Sequence, residues 1–103
     1  MQTDIQLFGI SGLLAKGYGR LDLESAMEYG TTIKDAIEDA DETITELVLD
    51  FSDITFIASY GLKVVLELYK LMQGQGKMKV TNVSQQILKA FKLVGFDKFL
   101  EIE

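Results

Sequence analysis

The residue types that most often carry out catalysis are almost absent from this sequence. Its 103 residues include no histidine and no cysteine, so the commonest general base, metal ligand and reactive thiol are missing. Three carboxylates, Asp22, Asp50 and Asp53, lie near predicted strand ends, where α/β proteins form many of their sites. Their spacing supplies neither an acid–base pair nor a calcium-binding loop. An enzyme built on these carboxylates is therefore the least favoured function, and we predict no catalytic residue, no metal site and no cofactor.

Ser59 is the hydroxyl residue whose position is most informative. It follows the segment Leu49–Ile57, predicted to be a buried strand and a short loop, and it stands where the sequence turns helical. As a helix N-cap, Ser59 would accept a hydrogen bond from a backbone N–H of the first turn. The helix dipole would also favour an anion such as phosphate there. The residues alone leave two interpretations open: Ser59 is only a cap, or it carries a modification.

Length and composition indicate one globular domain over residues 1–103. Apolar residues make up 48% of the chain and charged residues 25%, a balance typical of folded proteins. No apolar run approaches the ~20 residues needed to cross a bilayer, and the start of the chain has no basic segment leading into an apolar one. We therefore expect a cytoplasmic protein that does not insert into a membrane.

The net charge of −6 is concentrated in the first half of the chain. The lysines of the second half are dispersed singly, so nucleic acid is not an expected partner. Acidic residues follow the outer face of the first predicted helix and continue beyond it: Glu24, Glu28, Asp35, Glu38, Asp39, Asp41 and Glu42. A solvated helix face explains this pattern, and an acidic docking surface for a basic partner is the alternative.

The hydrophobic pattern predicts a β-hairpin followed by alternating helices and strands. Ile5 and Leu7 alternate with polar residues before the turn Ile10–Gly12, and a second extended run, Leu13–Tyr18, follows it. Asp22 is predicted to cap the first helix. The inward face of that helix is predicted at three- and four-residue steps: Leu23, Met27, Gly30, Ile33, Ile37 and Ala40. The remaining elements are a central strand Glu46–Phe51, a turn Ser52–Asp53, an apolar patch Ile54–Ile57, a helix Ser59–Gln73, a strand Met78–Val83, a Ser84-capped helix ending near Gly95, and a last strand Phe99–Ile102.

This order of elements predicts the α/β class. Strands that alternate with helices imply right-handed crossovers and a mostly parallel sheet. We therefore expect a single small domain with four or five strands, an N-terminal β-hairpin and at least three crossover helices packed mainly on one face.

Three short segments resemble one known family. They are Gly19–Asp22 before the first helix, Ala58–Leu62 at the start of the second, and Gly95–Lys98 after the third. In this order, and over nearly the whole chain, they resemble the STAS domain of bacterial anti-sigma factor antagonists. The resemblance implies a STAS fold and a function in protein binding.

The resemblance also implies a regulated partner and a modified residue. In that family the unphosphorylated form binds an anti-sigma factor with serine kinase activity and so frees a sigma factor, and phosphorylation of one serine ends the binding. Ser59 occupies the position of that serine, and a phosphatase that removes the phosphate is a further expected partner. The residues that the resemblance places at the partner-binding surface are Asp22, Ala58, Ser59, Tyr60, Gly61 and Leu62.

Three positions depart from the family pattern. Ala58 stands where many members have aspartate, Arg20 where many have glutamate, and Tyr60 where the residue is usually small. The acceptor hydroxyl is retained, but an acidic neighbour that could affect kinase recognition is lost. A second hypothesis within the same fold is an accessory subunit of a membrane transporter, which would dock constitutively and use Ser59 only as a helix cap.

Overall fold

The computed structural model describes residues 1–103 and contains one sheet whose five strands lie in chain order. The strands are β1 (Thr3–Phe8), β2 (Gly12–Leu21), β3 (Glu46–Ile57), β4 (Lys77–Thr81) and β5 (Glu101–Ile102). The helices are α1 (Leu23–Asp39), α2 (Ser59–Gln73) and α3 (Gln85–Leu93), with a 3₁₀ turn at Phe96–Lys98. β1 and β2 pair antiparallel and all other neighbours pair parallel, which confirms the predicted fold class.

All three helices cover the same face of the sheet. The Phe51 ring of β3 lies 6.5 Å from the Tyr29 ring of α1 and 6.1 Å from the Phe91 ring of α3, measured between centroids. These three rings are fully buried, and each of the two phenylalanines contributes about 1.5–3 kcal/mol through the apolar surface removed from water. Gly17 leaves room for Tyr29, because a Cβ at that position would stand 2.8 Å from the tyrosine ring. The predicted packing of the helices on one face is confirmed.

The inward face of α1 differs from the prediction at two positions. Leu23 is 60% exposed and Met27 is 52% exposed. The predicted stripe omitted the small residue Ala26 and the aromatic residue Tyr29, which are both buried. The complete buried stripe is Ala26, Tyr29, Gly30, Ile33 and Ile37. Because Tyr29 fits over Gly17, the helix turns this stripe toward the sheet and leaves Leu23 and Met27 at the surface.

The predicted turn at Ser52–Asp53 is wrong, because β3 continues without a break to Ile57. The polar residues instead mark an irregularity in the pairing with β2, where the register shifts between Lys16 and Tyr18. Asp53 forms an ion pair with Lys16 at 3.1 Å, so the strand carries a polar residue without turning. No loop therefore separates the strand from α2.

The boundaries of the last elements shift by a few residues. β4 ends at Thr81 because Asn82 takes a left-handed conformation with φ of 57°. The Ser84 cap is confirmed, since its Oγ accepts the Ile87 backbone N–H at 3.2 Å, and Gly95 is left-handed as predicted, with φ of 81°. None of the helices is long and apolar enough to cross a membrane.

Candidate functional site

The end of β2 and the end of β3 bring the two best-matched motifs together. Leu21 pairs with Ile57 in the sheet, and the Ala58 backbone N–H donates to the Leu21 carbonyl oxygen at 2.9 Å. α1 and α2 begin immediately after these residues, so their first turns lie side by side. The sheet thus places Asp22 next to the segment that contains Ser59.

Ser59 does not cap α2, contrary to the prediction. Ala58 is the N-cap residue, with extended backbone angles and no side-chain bond to the helix, and Ser59 is the first helical residue. The cause is the length of β3, which stays extended through Ile57 and leaves the non-helical cap position to residue 58. The Ser59 side chain is exposed and its hydroxyl takes part in none of the hydrogen bonds of the structure. It is therefore open to modification.

Gly61 permits the close approach between α2 and the end of β2. A Cβ on Gly61 would stand 2.7 Å from Ile57 Cγ1 and 2.8 Å from the Leu21 carbonyl oxygen, and both distances are below normal contact. The residue is buried, so its effect on a partner surface is indirect: it fixes the position of Ser59. Leu62, whose N–H donates to the Ala58 carbonyl at 3.1 Å, is half-buried and closes the first turn of α2.

Asp22 caps α1 through a reciprocal pair of bonds with Ser25. The Ser25 backbone N–H donates to Asp22 Oδ1 at 3.2 Å, and the Asp22 N–H donates to Ser25 Oγ at 2.9 Å. Hydrogen bonds from the Ser25 hydroxyl and backbone lower the pKa of the Asp22 carboxyl below its ordinary value. A carboxylate therefore stands, ionised and exposed, beside the α2 N-terminus.

Three apolar residues lie in the first turns of α1 and α2, at the end of the helix pair that carries Ser59. α1 and α2 run side by side, since a Cβ on Gly30 would stand 3.0 Å from Val64 and Lys34 pairs with Glu67 at 3.9 Å. One turn earlier on both helices, the same alignment places Met27 beside Tyr60, which is half-buried. We call Leu23, Met27 and Tyr60 the apolar rim of Ser59.

The apolar rim was only partly visible in the sequence. Tyr60 was predicted to lie at the surface through the resemblance, whereas Leu23 and Met27 were assigned to the core. A second helical stripe in the sequence could have identified Leu23 and Met27 as surface residues. Ala26 and Tyr29 complete an inward stripe with Gly30, Ile33 and Ile37, and this stripe turns Leu23 and Met27 away from the sheet.

Two cations stand near the same end of the sheet. Arg20 stacks over the Phe56 ring at 4.1 Å, on the face of the sheet opposite the helices, and Lys63 Nζ lies 5.2 Å from the centre of the Tyr60 ring. Arg20 and Ala58 are two of the positions that depart from the family pattern. The chain therefore has a stacked guanidinium and a methyl group where many members have carboxylates. The acidic group at this end of the sheet comes instead from Asp22, the residue that caps α1.

The other predicted carboxylates form a separate group on the open face of the sheet. Asp50 accepts bonds from the Ser52 backbone N–H at 2.9 Å and from Asn82 Nδ2 at 3.0 Å. Partial burial alone would raise the pKa of Asp50, but these hydrogen bonds outweigh it and leave the pKa below its ordinary value. Asp53 is bound to Lys16. The structure thus does not bring Asp22 together with Asp50 and Asp53 as one cluster.

Comparison with solved structures shows the same fold in proteins of different description. An anti-sigma factor antagonist from Mycobacterium paratuberculosis is 21% identical, with a TM-score of 0.84 over 98% of this chain and 83% of that chain. The phosphorylated form of the Bacillus cell fate determinant SpoIIAA is 18% identical, with a TM-score of 0.75 over 99% and 91%. A sulfate transporter family protein from Wolinella succinogenes is 15% identical, with a TM-score of 0.76 over 94% and 80%.

A family model provides the stronger assignment. The STAS domain model matches residues 18–103, from the last four residues of β2 onward, and so includes Asp22 and the segment Ala58–Leu62. The match covers well over half of the chain, and the fold agrees with it throughout. This chain belongs to the STAS domain family.

Proposed function

We propose that this chain is an anti-sigma factor antagonist that is switched by phosphorylation of Ser59. In the unphosphorylated form it binds an anti-sigma factor with serine kinase activity and so releases a sigma factor. The observation that carries the proposal is the exposed, unbonded Ser59 hydroxyl at the start of α2, beside Asp22 and the apolar rim. The structural similarity to an anti-sigma factor antagonist and to SpoIIAA supports it.

The unphosphorylated surface is suited to protein binding. Leu23 and Met27 are more than half exposed, and a partner that covers them gains about 25 cal/mol for each Å² of apolar surface removed from water. Tyr60 adds an aromatic side chain of the kind that often anchors interfaces. Asp22 offers a charged acceptor at the edge of this surface, where a partner donor can pair with it.

Phosphorylation would change this surface without refolding the domain. The partner kinase transfers the γ-phosphoryl group of ATP to Ser59 Oγ: the new O–P bond replaces the bond to ADP, and the hydroxyl proton leaves to a base of the kinase. The product carries about −1.5 to −2 additional charge. The free N–H groups at the start of α2 stabilise that charge locally. A partner that covers the apolar rim must now also remove water from the phosphate, which costs free energy.

The proposed anti-sigma kinase partner implies a cellular location for this chain and a division of roles between the two proteins. An anti-sigma kinase acts in the cytoplasm, and we propose the same location for this chain. The chain itself contributes no catalytic residue, cofactor or nucleic-acid contact in this mechanism, and a phosphatase resets the switch.

The test is affinity capture from lysate of the native cell, with wild type, Ser59→Asp and Ser84→Asp as bait. Ser84→Asp is the matched control, because it adds the same charge at another helix start and aspartate still caps α3. We expect wild type and Ser84→Asp to capture an ATP-binding anti-sigma kinase, and Ser59→Asp to lose at least about thirtyfold in affinity for the purified kinase. That kinase should phosphorylate wild type but not Ser59→Ala.

The transporter hypothesis predicts a different result. The similarity to a sulfate transporter family protein favours it as a second candidate. In that case transporter subunits are captured equally by wild type and Ser59→Asp. Equal affinity of the anti-sigma kinase for Ser59→Ala and Ser59→Asp would reject the switch.

A further inference from the structure

A second surface stands at the opposite end of β3 from Ser59. The β1–β2 turn is fixed there, because the Thr45 N–H donates to the Ser11 carbonyl at 2.9 Å just before β3 begins. Ser59 follows the other end of that strand, roughly 35 Å away at about 3.3 Å per strand residue. The two surfaces are therefore separated by nearly the full length of the sheet.

Two adjoining cavities form a continuous groove at this end. One has a volume of about 220 Å³ and is bordered by the hairpin turn, and the other has about 280 Å³ and is bordered by the end of α2. Both include the segment between α1 and β3, which joins them. We call this the distal groove, and the residues that define it are Leu7, Ile10, Asp41, Glu42, Ile44 and Leu71.

The walls of the distal groove include large apolar side chains that are exposed to solvent. Ile10 is 91% exposed, Leu7 is 64% exposed and Leu71 is 38% exposed. Ile44, which is buried, forms part of the floor. Large aliphatic side chains thus line both cavities, which share Ile44, and exposed apolar surface of this kind marks sites of protein interaction.

The rim of the distal groove is acidic and carries no cation. Glu38, Asp41 and Glu42 border it, and the sequence contains no lysine or arginine between Lys34 and Lys63. None of these three carboxylates forms an ion pair within the chain. Moreover, α1 ends with Glu38 and Asp39 and no basic residue in its last turn, although a helix C-terminus favours cations. This arrangement opposes folding stability and leaves negative charge free for an external partner.

From this combination we infer that the distal groove binds a cationic amphipathic segment of a partner protein, with lysine or arginine beside large apolar side chains. Apolar side chains of the segment cover Ile10 and Leu7, and its cations pair with Asp41 and Glu42. Nucleic acid and anionic lipid are repelled by the same carboxylates, and no three carboxylates in the chain converge as a metal site. The site is independent of Ser59 and goes beyond the function proposed above.

The test uses a synthetic helical peptide of about 16 residues, built from leucine on one face and lysine on the other. The intact chain is titrated with it in an NMR experiment at physiological salt. We expect amide shifts confined to the β1–β2 turn, to residues 38–44 and to the end of α2. A peptide with glutamate in place of every lysine should not bind.

Variants distinguish binding in the distal groove from non-specific binding of the peptide to the protein surface. Ile10→Ser should weaken binding of the lysine peptide about tenfold, whereas Leu93→Ser, which removes an equally exposed leucine outside the groove, should not. Asp41→Asn should weaken it about threefold, and Asp97→Asn should not. Ser59→Asp should leave the affinity unchanged.

Three outcomes would overturn the inference. They are shifts spread over the whole surface or centred on Ser59, equal losses for Ile10→Ser and Leu93→Ser, or occupation of the groove by a second copy of the chain. The last would be seen as concentration-dependent association that ends with Lys92→Glu, a change at the exposed lysine in the last turn of α3.

Discussion

The first turns of α1 and α2 lie side by side and are built in opposite ways. α1 begins with Asp22 and Ser25, which exchange two hydrogen bonds, and one of them satisfies the Ser25 N–H in the first turn. α2 begins with Ala58, whose methyl group satisfies none, and α3 begins with a Ser84 cap. Among the three α-helices, the one without a side-chain cap at its start is therefore the one that carries Ser59.

This difference shows that the start of α2 is held by packing and not by a cap. Gly61 lets the helix approach the Leu21 carbonyl, and the Ala58 N–H bonds to the same oxygen. The unpaired N–H groups of the first turn remain available to an added phosphate. Stability and the proposed regulation by phosphorylation thus depend on different residues of one short segment.

The largest effect is expected at Gly61. Gly61→Ala should lower the free energy of unfolding by about 2 kcal/mol, because its Cβ would overlap both Ile57 and the Leu21 carbonyl. Urea unfolding measures this. The control is Gly74→Ala, where the nearest atom to a new Cβ is 3.9 Å away, and it should be neutral or stabilise by about 0.5 kcal/mol. Similar losses for both variants would mean that packing does not fix the start of α2.

An intermediate effect should separate Ser84 from Ser59. Ser84→Ala removes a cap and should lower the free energy of unfolding by about 1 kcal/mol. Ser59→Ala should change it by less than about 0.5 kcal/mol, and Ser59→Asp should raise it by about 0.5 kcal/mol, because a negative charge is favoured at a helix N-terminus. The same unfolding measurements test all three. If Ser59→Ala is as costly as Ser84→Ala, Ser59 caps α2 after all.

The smallest effect concerns pH and Asp22. Its folded-state pKa is depressed, so its contribution to stability is present above the ordinary carboxyl value of 3.8 and is lost as pH falls through the lower folded-state value. Asp22→Asn keeps a capping side chain that does not titrate. The difference in Tm between wild type and this variant should therefore shrink from about pH 5 to about pH 2.

Ser25→Ala is the control for this pH effect. It removes the hydroxyl that donates to Asp22 and so should weaken the same acid dependence. Because the Asp22 side chain is exposed and solvent screens its interactions, the change in acid dependence should be small. An acid transition identical in wild type and Asp22→Asn would contradict the assignment.

Local sequence signals predicted much of the fold. Caps at Asp22 and Ser84 and the left-handed Gly95 depend on single residues and their neighbours, and the structure confirms all three. The alternation of strands and helices also gave the correct class and the correct packing on one face. These features require no knowledge of contacts distant in sequence.

The errors all involve contacts between distant residues. Ser52 and Asp53 look like a turn, but pairing with β2 and the Lys16 ion pair keep them in the strand. The longer strand moved the cap position from Ser59 to Ala58. Leu23 and Met27 fit a helical stripe, but the space that Gly17 leaves for Tyr29 decided which stripe faces inward. Candidate site residues were found through the motif, whereas the apolar rim required the packed structure.

The direct passage of β3 into α2 has a consequence for how a partner recognises Ser59. Because no loop intervenes, the serine is held in place by the sheet before any partner arrives. Docking then requires little ordering of the backbone, and the loss of conformational entropy on binding is small. We therefore expect association to be a single rigid-body encounter, in which phosphorylation changes the charge that a partner meets and leaves the shape as it was.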